Sequence, residues 1–169
     1  LKEYESDLIP VPSVKAIQVT ETLADFVVTI GLDIVKFSKR NGAISQITRN
    51  ERDLLVSPGE WTIWRAPIDN DRNIKKEWYA ANYDRAQTRV HEFDYVANAE
   101  AHIFTFRGVI NSVARQDIIK FEIKWFVNQN GAIYLDMDAE KNPLMPFLPR
   151  FALHLPMISE MDKVTYYGN

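Results

Sequence analysis

The sequence predicts an all-β fold, an antiparallel sandwich of short strands. Three observations carry this reading. Apolar residues recur mostly with period two, the spacing of half-buried strands. Asn-Gly pairs and prolines punctuate the alternating segments. Only one stretch breaks the alternation toward a helix, so strands dominate the architecture.

The first predicted strands are Lys15–Thr20, Asp25–Gly31, Asp33–Lys39 and Ala43–Thr48. Asn41-Gly42 marks a hairpin turn whose register the flanking pattern leaves open. Ile74–Arg85 lacks strict alternation and carries Trp78, Ala80, Ala81 and Tyr83, which predicts a short helix or an irregular turn. Strands resume at Val90–Val96 and Ile103–Ile110. The clearest follows: Ile119, Phe121, Ile123, Trp125 and Val127 alternate with Lys120, Glu122, Lys124 and Phe126. The next segment repeats the pattern with Ile133, Leu135 and Met137. A two-residue loop at Asn130-Gly131 would set Val127 against Tyr134 and Trp125 against Asp136, apolar against polar. A three-residue loop, Gln129-Asn130-Gly131, sets Val127 against Ile133 and Trp125 against Leu135, with Gly131 in the left-handed position. The three-residue turn is therefore predicted, and Phe121 and Trp125 are assigned to the core. Phe151–Leu155 and Lys163–Tyr167 complete the strands. Prolines cluster at 9–12 and at Pro143, Pro146, Pro149 and Pro156, marking strand starts, edges and loops.

A length of 169 residues suits one domain, read as 1–169, and excludes a complete (β/α)₈ barrel, which takes about 250 residues. A net charge of −3 gives no basic excess for nucleic acid. The chain has no cysteine, so disulfides, thiolate metal sites and cysteine nucleophiles are excluded, and a cytoplasmic location is expected. No apolar run approaches the ~18 residues of a membrane span, and no signal peptide opens the chain. The first residue is Leu1 rather than Met, which predicts a piece of something longer.

The densest chemistry lies in Trp61–Arg72. Two tryptophans, Trp61 and Trp64, precede Arg65, Asp69, Asn70, Asp71 and Arg72. Such a cluster offers a carboxylate–guanidinium network. Three readings stay open. A sugar site uses an aromatic face for the apolar side of the ring and planar polar groups for its hydroxyls. Calcium would use Asp69, Asn70 and Asp71, but needs six to eight oxygens, and the EF-hand spacing is missing. A structural turn would cap the short helix through Asp69 or Asn70. His91, His102 and His154 lack the i, i+2 spacing of a strand-borne zinc site and are read as separate side chains. A glycosidase needs two carboxylates about 5–9.5 Å apart, and 23 acidic residues give no way to choose a pair. No catalytic residue and no metal ligand is assigned.

Several segments resemble one family. Trp64-Arg-Ala-Pro-Ile-Asp-Asn-Asp71 is similar to the W-R-A-P-x-D-N-D signature in the small-chain region of bacterial β-galactosidases, glycoside hydrolase family 2. Trp78-Tyr-Ala-Ala-Asn-Tyr83 resembles a tryptophan followed by a glycine-containing turn. Leu148-Pro-Arg-Phe-Ala-Leu153 resembles L-P-R-x-G-L, and Val164-Thr-Tyr-Tyr-Gly168 resembles V-x-W/Y-x-G. Asn82 and Ala152 stand where the family has glycine, and the sequence stops where the last motif continues.

The resemblance implies the N-terminal portion of the family's last β domain, a supersandwich similar to the galactose mutarotase fold. It implies a parent enzyme that hydrolyses terminal non-reducing β-D-galactose residues of lactose-like substrates through a retaining, two-carboxylate mechanism. The catalytic glutamates, magnesium and sodium would sit outside this chain. Its partners would be the parent's other domains, the subunits of a homo-oligomer and a galactoside ligand. The expected role is structural, with no activity in the chain alone. Two other classes stay open. A carbohydrate-binding module would use Trp61, Trp64 and the Arg65–Arg72 cluster. A mutarotase-like aldose epimerase needs a histidine acid and a carboxylate base together in a cleft.

Overall fold

The computed structural model describes residues 16–112 and 117–163. Within them the chain runs β1 (Ile17–Glu21), β2 (Asp25–Ile30), β3 (Asp33–Ser38), β4 (Ile44–Arg49), β5 (Arg52–Asp53) and β6 (Glu60–Thr62). One helix, α1 (Lys75–Ala80), follows, flanked by single 3₁₀ turns at Asp69–Asp71 and Tyr83–Arg85. The strands β7 (Gln87–Ala97), β8 (Ala101–Asn111), β9 (Asp117–Asn128), β10 (Ile133–Lys141) and β11 (Ala152–His154) complete it. The first five strands form one antiparallel sheet in sequence order, and β7 to β10 form a second. β6 and β11, far apart in sequence, pair as a third, small sheet. The fold is an all-β sandwich.

The period-two pattern builds the core directly. Phe26, Val28 and Ile30 of β2 and Val35 and Phe37 of β3 turn inward. They meet Phe104 and Phe106 of β8 and the whole odd-numbered set of β9 from Ile119 to Val127. Ring centroids lie 5.1 Å apart for Phe37–Phe104, 5.3 Å for Phe26–Phe104 and 5.3 Å for Phe37–Trp125. These tilted contacts add to the free energy of burying the rings.

Two turns fix the registers. In the β9–β10 hairpin Val127 faces Ile133 and Trp125 faces Leu135, the three-residue arrangement the sequence predicts. Gly131 takes φ +83° and donates its N–H to Asn128 O at 2.8 Å. The Asn41-Gly42 turn reaches across the sandwich. Gly42 has φ +68°, and a Cβ there would stand 3.0 Å from Phe106 Cβ. Its carbonyl accepts the buried indole N–H of Trp125 at 2.8 Å. That bond ties the first sheet's hairpin to the centre of the second sheet.

The predicted strands appear with shifted ends, and β7 is the longest extension, beginning at Gln87 rather than Val90. A register shift between Val90 and Glu92 explains this, because it breaks the alternation that marked the strand's start. The sequence reading missed β5 and β6, which have two and three residues, too few to show a period. Ile74–Arg85 holds the short helix and then a 3₁₀ turn. The Lys163–Tyr167 strand lies outside the described residues beyond Lys163. No helix among the described residues is long and apolar enough to cross a membrane.

Candidate functional site

Trp61 to Arg72 leaves β6 and crosses the surface toward α1. Pairing with β11 sets Leu153 opposite Trp61, and Trp61 is 8% exposed, its ring 6.1 Å from Phe151. Thr62 then tightens the chain, its hydroxyl accepting the N–H of Trp64 at 3.2 Å. Trp64 leans the other way, 5.3 Å from Tyr79 and edge-to-face with Trp78 at 6.5 Å. The two tryptophans therefore belong to different packing groups and do not make one platform.

Of the polar residues, the structure joins Arg65 and Asp71. The guanidinium grips the carboxylate with two bonds, Nη1 to Oδ2 at 2.5 Å and Nη2 to Oδ1 at 2.9 Å. Asp71 Oδ2 also accepts the backbone N–H of Ile68 at 2.9 Å, which closes the 3₁₀ turn. Hydrogen bonds from Arg65, then from Ile68, hold the Asp71 carboxyl below the usual carboxylate range, and the same pairing raises Arg65. Asp71 is 7% exposed. Asp69, Asn70 and Arg72 face solvent and make no side-chain hydrogen bond among the described residues. The sequence expectation that Asp69 or Asn70 caps the short helix is corrected. The cap position of α1 is Ile74, with no side-chain cap, because the chain turns once more between Asp71 and Lys75. Calcium does not fit either. Asp71 is turned inward to Arg65, away from Asp69 and Asn70. No three acidic or histidine side chains gather as a metal site among the described residues.

Sequence reasoning missed what the cluster is attached to. Arg65 Nε donates to the carbonyl of Pro149 at 3.1 Å. Trp78, fully buried, donates its indole N–H to the carbonyl of Phe147 at 2.9 Å. Tyr83, 1% exposed, donates its hydroxyl to the carbonyl of Pro146 at 2.7 Å. Burial pushes the Tyr83 hydroxyl up to about 12. Three side chains thus clamp three carbonyls within four residues of the proline-rich segment. The guanidinium of Arg65 also lies 5.5 Å over the Trp78 ring, and Phe147 packs edge-on to the same indole at 5.6 Å. Prolines at 143, 146 and 149 were a readable signal. They keep this segment out of a regular ladder, so its buried carbonyls need side-chain donors.

Asn82 follows the helix with φ +55° and ψ +40°, the left-handed conformation that glycine adopts freely and asparagine tolerates. The asparagine therefore keeps the turn that a glycine would make. The histidines lie apart. His102 bonds Tyr95 Oη at 2.7 Å, His154 stands 3.6 Å from Glu60, and His91 lies on β7.

Residues 33–169 match the family model described as beta galactosidase small chain. The chain belongs to the β-galactosidase small-chain family. A β-galactosidase of Actinobacillus pleuropneumoniae is 32% identical over 133 residues, covering 79% of this chain and 13% of the relative. One of Staphylococcus xylosus is 31% identical over 153 residues, covering 90% of this chain and 15% of the relative. The chain thus spans roughly one seventh of the length of these curated relatives. In this small-chain region the octapeptide supplies Trp64, Arg65 and Asp71. The second motif supplies Trp78 and Tyr83, and the third supplies the carbonyl of Pro149. Three stretches separated in sequence are one structural unit.

Proposed function

We propose that this chain is a non-catalytic β-sandwich unit of a larger β-galactosidase that hydrolyses terminal β-D-galactose residues. On this reading residues 1–169 are the start of a supersandwich domain of the galactose mutarotase type. The acid, the nucleophile and the magnesium that resemblance assigns to a glycoside hydrolase of family 2 belong to a barrel outside the chain. The sandwich packs against that barrel and takes part in subunit contacts. One observation supports the structural role: Arg65, Asp71, Trp78 and Tyr83 of these segments are occupied by one another and by backbone. Arg65 spends its donors on Asp71 and Pro149, Trp78 on Phe147 and Tyr83 on Pro146. Groups so engaged are not free to bind a substrate or to move a proton for it. The purified chain is expected to give no turnover of a nitrophenyl β-galactoside. Turnover abolished by a single acid-to-alanine change within the chain would overturn this reading.

A further inference from the structure

The second sheet ends at β10, which has β9 on one side and no strand on the other among the described residues. Its two edges are built differently. β7 is interrupted by the register shift between Val90 and Glu92, and its Val90 N–H is taken by Arg40 O at 2.9 Å. Bulges and covering contacts of this kind keep an edge from pairing with another chain. β10 runs beside β9 from Ile133 to Lys141 without a shift and contains no proline.

The hairpin decides which backbone groups face the open edge. Asn128 donates its N–H to Ala132 O at 2.9 Å at one end of the β9–β10 pair, and Asn142 donates to Ile118 O at 2.8 Å at the other. In an antiparallel pair such bonded positions alternate with positions whose N–H and C=O turn away. The even-numbered residues of β10 therefore bond β9, and Ile133, Leu135 and Met137 present their backbone groups outward. The side chains of these three lie on the core face, since Leu135 stands opposite buried Trp125. Leu135 is nevertheless 41% exposed, so the core face continues uncovered to the edge. Tyr134, Asp136, Asp138 and Glu140 lie on the opposite face, exposed.

We propose that β10 pairs with β10 of a second copy of this chain, antiparallel, about a two-fold axis at Leu135. The carboxylates choose that register, because like charges directly opposite are destabilising. An axis at Asp136 sets its carboxylate against itself, and an axis at Met137 sets Asp136 against Asp138 twice. Axes nearer the turn shorten the pairing. At Leu135 no acid opposes an acid. Tyr134 meets the partner's Asp136, and Ile133 meets the partner's Met137. The strand is its own complement there: the apolar set reads the same in both directions, while Tyr134 and Asp136 exchange places. Each of Ile133, Leu135 and Met137 gives its N–H and its C=O to the residue opposite, and the two core faces become continuous. The contact is isologous, so it closes as a dimer and does not grow into a fibre. Confined to one strand, it is small and weak, with a dissociation constant of about 10–100 μM.

Sedimentation equilibrium of the 169-residue chain across that concentration range tests the pairing. The mean mass should rise from one chain toward two. Leu135→Lys sets two ammonium groups together at the axis and should stay monomeric throughout, with the melting temperature of the dilute unaltered chain. Cross-linking reads the register whatever the fate of Leu135→Lys, because the chain has no cysteine of its own. Bonded opposite residues have Cα atoms about 5.5 Å apart, within disulfide reach, so Leu135→Cys should oxidise to a covalent dimer. Met137→Cys, whose counterpart lies about 13 Å along the strand, should not. An unaltered chain that stays monomeric across the range would overturn the proposal. So would a dimer that Leu135→Lys retains, or equal cross-linking by the two cysteine variants.

Discussion

The indole N–H of Trp78 meets the carbonyl oxygen of Phe147 at 2.9 Å, joining residues 69 positions apart, and the side chain of Phe147 packs edge-on against the same indole at 5.6 Å. One residue thus serves as acceptor and as packing partner to the other. The bond holds a proline-rich crossing segment, which has no ladder of its own, to the short helix. Arg65 and Tyr83 do the same at Pro149 and Pro146.

Trp78→Phe removes the donor and leaves both a smaller ring and an unpaired carbonyl. Unfolding free energy should fall by about 2–4 kcal/mol, measured by urea denaturation. A loss within experimental error would show that solvent reaches the Phe147 carbonyl.

The Arg65–Asp71 pair should appear in the acid limb of stability. Its hydrogen bonds depress the Asp71 carboxyl, so its contribution is present above the unfolded value of about 4 and is lost as pH falls through the lower folded value. Asp71→Asn should lower the melting temperature at neutral pH and flatten its decline below about pH 4. Equal acid slopes in the two proteins would contradict the pairing.

Tyr83 predicts the opposite limb. Its hydroxyl is raised from 10.0 to about 12, so its contribution is complete below the lower value and disappears as pH climbs through the higher one. Tyrosinate absorbance should lose a late-titrating group in Tyr83→Phe, while Tyr95, which burial also raises, stays late in both proteins. That variant should also cost about 0.5–1.5 kcal/mol at neutral pH through the lost bond to Pro146.

Gly42→Ala should destabilise the sandwich by about 1–3 kcal/mol, since it combines a left-handed φ with a contact against Phe106. Asn82→Gly should be nearly neutral, whereas Asn82→Val should cost about 1–2 kcal/mol, because only the β-branched residue resists the left-handed turn after α1. Thermal unfolding of the three variants checks both positions.

The regular part of the fold was legible because burial on one face writes itself as period two. The alternation from Ile119 to Val127 identified a core strand, and the turn chemistry of Gln129-Asn130-Gly131 placed Trp125 opposite Leu135. The pairing of Trp61 with Leu153 was not legible, since three-residue strands carry no period and their partners lie 92 positions apart. At the site, composition grouped Arg65 with Asp69, Asn70, Asp71 and Arg72 as equals. Only Asp71 meets the guanidinium, because the 3₁₀ turn points it inward while its neighbours face water. The acceptors at Pro146, Phe147 and Pro149 are backbone atoms, which leave no mark in side-chain chemistry.

The central claim is that the Trp64–Asp71, Trp78–Tyr83 and Pro146–Pro149 segments form one clamp. Hydrogen exchange of the Trp78 indole proton tests it most directly, measured in the unaltered chain and in Arg65→Ala. One clamp predicts slow exchange in the first and markedly faster exchange in the second, because Arg65 covers the indole and pins Pro149 two residues from its acceptor. Fast exchange in the unaltered chain, or a rate that Arg65→Ala leaves unchanged, would contradict it.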